Sequence, residues 1–127
     1  MAGAERLAGK SILVVEDEYF VADDLKRALS AQGATVIGPI GQIDRALTVG
    51  SEERFDAAVL DVNLEGATTY ALADRLAERG IPCLFVTGYD GWAMPEAYRK
   101  APRVAKPFAM QTVIDTIAAI IAGTLAA

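Results

Sequence analysis

Three acids in a row, Glu16, Asp17 and Glu18, follow directly on the apolar run "ILVV" at 12 to 15. A second run, "AAVLDV" at 57 to 62, contains Asp61; a third, "CLFVT" at 83 to 87, ends on Thr87; and the short run "RVA" at 103 to 105 gives way to Lys106 and Pro107. Aspartate is disfavoured in strands, so its place at the ends of two strand-like runs calls for a use. Carboxylates gathered within about 5 Å repel by roughly 1 to 3 kcal/mol per pair, and such a group needs a cation or a raised pKa. Lysine supplies one positive charge. A hard divalent ion such as Mg2+ suits the rest, because it takes oxygens from one or two carboxylates, a backbone carbonyl and water while leaving room for a phosphoryl group. Glu16, Asp17 and Asp61 are the acids expected to converge, whereas Glu18 is assigned to capping the helix that follows and complementing its dipole.

For these residues to meet, the chain must bring the ends of separate strands to one rim. The apolar runs are short, continuous and rich in β-branched residues, as in strands buried on both faces of a parallel sheet; "ATVIG" at 34 to 38 completes a set of five. Helical patterns lie between them. "EYFVADDLKRALSAQG" and "TTYALADRLAERG" place apolar residues on one side and stop at Gly33 and Gly80, and "AMQTVIDTIAAIIAGTL" carries Met110, Val113, Ile114, Ile117 and Ile121 at helical spacing. "GQIDRALTVGSEER" has a weaker period, and "GYDGWAMPEAYRKAP", with two prolines and two glycines, predicts a fourth helix that is short or irregular. Strand and helix alternating five times give an α/β fold with a doubly wound five-stranded parallel sheet. In such a sheet, ligands bind beyond the carboxyl ends of the strands, where these acids, Thr87 and Lys106 fall.

At 127 residues and 53% hydrophobic content, the chain fits one domain over 1 to 127, with a core of about 10 to 126 and no effector domain. A net charge of −5, no histidine and scattered basic residues argue against direct nucleic-acid binding. Cys83 cannot form an internal disulfide and reads as a small apolar strand residue. The amino-terminal "MAGAERLAGK" lacks an apolar stretch of signal-peptide length, and the tail "IAAIIAGTLAA" is too short to span a bilayer. A cytoplasmic protein without membrane partners is expected.

"ILVVEDE", "VLDVNL", "FVTGY" and "KPF" lie in an order and spacing that resemble the receiver domains of two-component response regulators, over nearly the whole chain. The resemblance implies a flavodoxin-like (βα)5 fold with strand order 2-1-3-4-5. It also implies a phosphoprotein that takes a phosphoryl group from a sensor histidine kinase or a phosphotransfer protein and switches an interaction with an unknown downstream protein. It makes Asp61 the phosphoacceptor and Asp17 an Mg2+ ligand beside Asp61 itself. Glu16 would meet the ion directly or through water, and Asn63 through its backbone carbonyl. Thr87 and Lys106 would contact the phosphoryl group, and the Lys106–Pro107 peptide would be cis. The domain would be a self-dephosphorylating switch, not an enzyme turning over a small substrate.

The sequence departs from that pattern in three places. The loop "DVNLEGATTY" lacks the usual proline, Arg103 stands where receivers keep an aromatic switch residue, and Val86 replaces an alanine in a motif otherwise similar to the alphaproteobacterial stand-alone subgroup nicknamed FATGUY. That subgroup is associated with histidine kinases of the HWE and related types. With an arginine at 103, Tyr89, two positions after Thr87, is the expected reporter of the phosphoryl group. An aspartate-nucleophile phosphohydrolase is one alternative, but it calls for a second acid where Asn63 stands; a pseudo-receiver that binds partners without phosphorylation is another.

Overall fold

A computed structural model describes residues 5–88 and 94–123. Five parallel strands, β1 (Ser11–Val15), β2 (Thr35–Ile40), β3 (Ala57–Asp61), β6 (Cys83–Thr87) and β7 (Arg103–Ala105), form one sheet in the order β2-β1-β3-β6-β7. Counting the strands of this sheet alone, that is the expected 2-1-3-4-5. The helices are α1 (Tyr19–Ala31), α2 (Ile43–Glu52), α3 (Tyr70–Glu78) and α4 (Met110–Ala122).

The sheet is buried on both faces, which explains its continuous apolar runs. Ile12 and Val14 of β1, Ala57 and Val59 of β3 and Leu84 and Val86 of β6 face one core with Leu25 and Leu29 of α1 and Val113 and Ile117 of α4. The alternate residues Leu13, Val15, Ala58, Leu60 and Phe85 face a second core with Ala46 of α2 and Leu72 and Leu76 of α3. On β1, β3 and β6 the fully buried side chains sit side by side in register, Leu13 opposite Ala58 and Leu60 opposite Phe85. That packing fixes which residue ends each strand at the rim.

Two elements differ from the sequence-based reading. β2 runs on to Ile40 instead of stopping at Gly38, past a Gly38–Pro39 peptide that is cis. Proline is tolerated because β2 is an edge strand, and a register shift between Leu13 and Val15 absorbs the extra residue. Gly38 is required there: its φ is +99°, and a Cβ would lie 2.8 Å from the Val14 carbonyl oxygen and 2.8 Å from the Ile40 nitrogen. The second difference is a hairpin, β4 (Asn63–Leu64) with β5 (Ala67–Thr68), turning on Glu65 at φ 51° and Gly66 at φ 86°. Two positive φ values in a two-residue turn match the twist of the flanking strands.

The fourth crossover is irregular as expected. Among its described residues it holds only a 3-10 turn, Glu96–Tyr98, opened by Pro95. Tyr98 stacks on Tyr70 with ring centroids 5.4 Å apart and meets Phe85 edge-on at 5.5 Å, so aromatic packing replaces a helical face. Among the described residues, no helix is long and apolar enough to cross a membrane.

Candidate functional site

The carboxyl ends of β1, β3, β6 and β7 bring Glu16, Asp61, Thr87 and Lys106 to one rim. Backbone bonds carry the ladder past the strand ends: Glu16 N–H donates to the Ile40 carbonyl at 3.0 Å, Val62 N–H to Val86 at 3.2 Å, and Lys106 N–H to Thr87 at 2.8 Å. Glu16, Asp61 and Thr87 are buried, at 2%, 6% and 1% exposure. The Lys106–Pro107 peptide is cis, as the resemblance implies.

Lys106 sits among three carboxylates. Its Nζ donates to Glu18 Oε1 at 2.7 Å and to Asp61 Oδ2 at 3.1 Å, and lies 2.9 Å from Glu16 Oε1 in a charge contact that is not an aligned hydrogen bond. The other oxygen of Asp61, Oδ1, accepts from Asn63 N–H at 3.2 Å, and Glu16 Oε2 accepts from Glu18 N–H at 3.1 Å. Burial, and next the hydrogen bond with Asp61, push the Glu16 carboxyl up to about 7, against the opposing pull of Lys106 and the Glu18 amide. Burial alone would push the Lys106 ammonium down; its contacts with the Glu18, Glu16 and Asp61 carboxylates outweigh that and hold it above its ordinary value.

Carboxylate oxygens of Glu16, Glu18 and Asp61 lie within 4.8 Å of one another. Lys106 brings one positive charge to these three carboxylates, and the buried Glu16 Oε1 has no aligned donor, so the remaining negative charge suits a hard divalent cation beside the ammonium.

Asp17 is placed differently from the expectation: its exposed carboxylate accepts from Glu65 N–H at 2.9 Å, at the hairpin turn, and is not among the three clustered acids. Glu18 is the correction in the other direction. Its backbone occupies the position before α1, but its side chain makes no capping bond and reaches Lys106, 88 residues away. Attraction to an ammonium outweighs what a neutral amide offers.

Thr69 was not singled out from the sequence. It is fully buried, and its hydroxyl donates to the Asp61 carbonyl at 2.7 Å, fixing the backbone of the residue at the centre of the site. A threonine next to a helix start signals only a cap, and this one makes none with its side chain. Arg103 is exposed and donates to the Arg99 carbonyl at 2.6 Å. Tyr89 lies outside the described residues. Cys83 is half-buried, with burial pushing its thiol up to about 12, in keeping with a packing role.

Residues 12–118 match the response regulator receiver domain family. The solved structure of SdrG from Sphingomonas melonis is 35% identical, with a TM-score of 0.77 over 91% of this chain and 97% of that one. Among curated proteins, the phyllosphere-induced regulator PhyR of Methylorubrum extorquens is 31% identical over 84% of this chain. The transcriptional regulatory protein PdtaR of Mycobacterium tuberculosis is 25% identical over 90%. The chain spans 42% of PhyR and 58% of PdtaR. Similarity to SdrG and PhyR agrees with the alphaproteobacterial character of the "FVTGY" motif. With its sheet order, its buried acids at the strand ends and these relatives, the chain belongs to the response regulator receiver domain family.

Proposed function

We propose that this receiver accepts a phosphoryl group on Asp61 from the phosphohistidine of a sensor histidine kinase, of the HWE or a related type, or of a phosphotransfer protein. The observation that carries the reading is the Asp61 carboxylate at the end of a central strand, bonded to the Lys106 ammonium, with Thr87 ending the neighbouring strand. An Asp61 oxygen attacks phosphorus; an O–P bond forms as the P–N bond to the donor histidine breaks, and the imidazole nitrogen leaves with the electron pair. There is little covalent work beyond alignment and charge neutralisation. Lys106 offsets charge on the equatorial oxygens, and the Thr87 hydroxyl donates a hydrogen bond to one of them. Glu16, Asp61 and the Asn63 carbonyl, joined by Asp17 once its carboxylate leaves the Glu65 amide, would hold Mg2+, which when bound supplies further neutralisation of the phosphoryl oxygens. Water later attacks the acyl phosphate and releases Asp61 and inorganic phosphate. The site thus acts as a timed switch on a downstream protein, in the cytoplasm where the donor histidine would be met. Asn63, in place of the second acid of an aspartate-nucleophile phosphohydrolase, disfavours that alternative.

Beryllofluoride with Mg2+, which mimics a phosphoryl group on a carboxylate, tests the reading. Amide resonances around Asp61, Thr87 and Lys106 should shift in the wild type and stay in place in Asp61→Asn. Equal shifts in both proteins would remove Asp61 from the role.

A further inference from the structure

Lys106 has three N–H donors, and three carboxylates face them: Glu18 at 2.7 Å, Glu16 at 2.9 Å and Asp61 at 3.1 Å. A phosphoryl group arriving on Asp61 brings oxygens that draw this ammonium toward them and away from the contacts it now makes. The three are not equally costly to break. The Glu16 side chain is fully buried and would be left without solvent in exchange. Asp61 loses its carboxylate charge when it is phosphorylated, and the phosphoryl oxygens on the same side chain take over its contact. The Glu18 side chain is 59% exposed, so water replaces its bond. The contact with the shortest distance is therefore also the one that can be released.

We propose that Glu18 is a latch on Lys106: it holds the ammonium in the unphosphorylated arrangement, must let go when the phosphoryl group arrives, and thereby sets how readily the site fills. The inference rests on the phosphoacceptor reading and adds to it a positioning residue that touches neither donor nor phosphorus. Glu18 competes with the phosphoryl oxygens for one donor. The competition depends on reach as well as charge, since an aspartate at 18 keeps the charge but is one methylene shorter.

The test uses the full chain with beryllofluoride at Mg2+ saturating for each variant. An exposed ion pair of this kind accounts for about threefold to fivefold in an equilibrium, so Glu18→Gln and Glu18→Asp should each bind beryllofluoride roughly threefold to fivefold more tightly than the wild type. Asp24→Asn, which removes a charge further along α1, should bind as the wild type does. In the metal-free protein, the ζ-NH3 signal of Lys106 should be protected from solvent exchange in the wild type and less so in both Glu18 variants. If Glu18→Asp matches the wild type in both measurements, charge alone acts and the latch is wrong. If Glu18→Gln loses Mg2+ affinity tenfold and binds beryllofluoride more weakly, Glu18 is a metal ligand instead, which also overturns it. A wild type that binds no beryllofluoride at all would refute the phosphoacceptor reading, and the latch with it.

Discussion

A carboxyl group that is 2% exposed and beside a second carboxylate keeps its proton well above the range of an exposed glutamate, and Glu16 does so at about 7 against an ordinary 4.5. Because the folded value is the higher one, the stabilisation is fully present below about pH 4.5 and is lost as pH rises through 7. A shift of this size corresponds to at most about 3 kcal/mol. In a chelator, the urea midpoint should therefore fall between pH 5 and pH 8, and Glu16→Gln, which cannot ionise, should remove most of that slope. A wild-type midpoint that stays level over this range would contradict the account of Glu16. At this scale the sequence was a partial guide. Asp61, Thr87 and Lys106 were legible because each ends an apolar run, whereas the Glu18 contact with Lys106 joins residues 88 apart and leaves no local pattern.

The strands set where those residues stand, and the end of β2 is a sensitive point. Glu16 N–H is held by the Ile40 carbonyl, and Ile40 reaches that position only because Gly38 takes a φ of +99° against the Val14 carbonyl. Gly38→Ala should cost about 1 to 3 kcal/mol from backbone strain alone, with the 2.8 Å overlaps adding to it. Urea unfolding would show this as a lower midpoint, with amide shifts at Glu16 and Ile40. An unchanged midpoint would mean that the β2 end is not held as described. The same glycine and proline misdirect a sequence reading, since "GP" is ordinarily a turn signal. The β4–β5 hairpin was illegible for a different reason: two-residue strands carry no usable period, and its turn begins at Glu65, a residue that rarely takes a positive φ. Yet the hairpin matters, because the Glu65 amide holds the Asp17 carboxylate.

Over the whole molecule, two apolar cores clamp the sheet from opposite faces and leave polar chemistry to one rim. This architecture was readable because residues buried on both faces must be apolar without alternation, and the glycines at 33 and 80 mark where helices turn back. The irregular fourth crossover was also readable, from its two prolines, but the Tyr70, Phe85 and Tyr98 packing that secures it was not, since those side chains come from three separate segments. The most direct test is to incubate the protein with a phosphorylated histidine kinase and Mg2+, reduce with borohydride, and sequence the peptides by mass spectrometry. The account predicts homoserine at position 61 in the wild type and none at any position in Asp61→Asn; homoserine at another aspartate, or a wild type that remains unmodified with every phosphorylated donor, would contradict it.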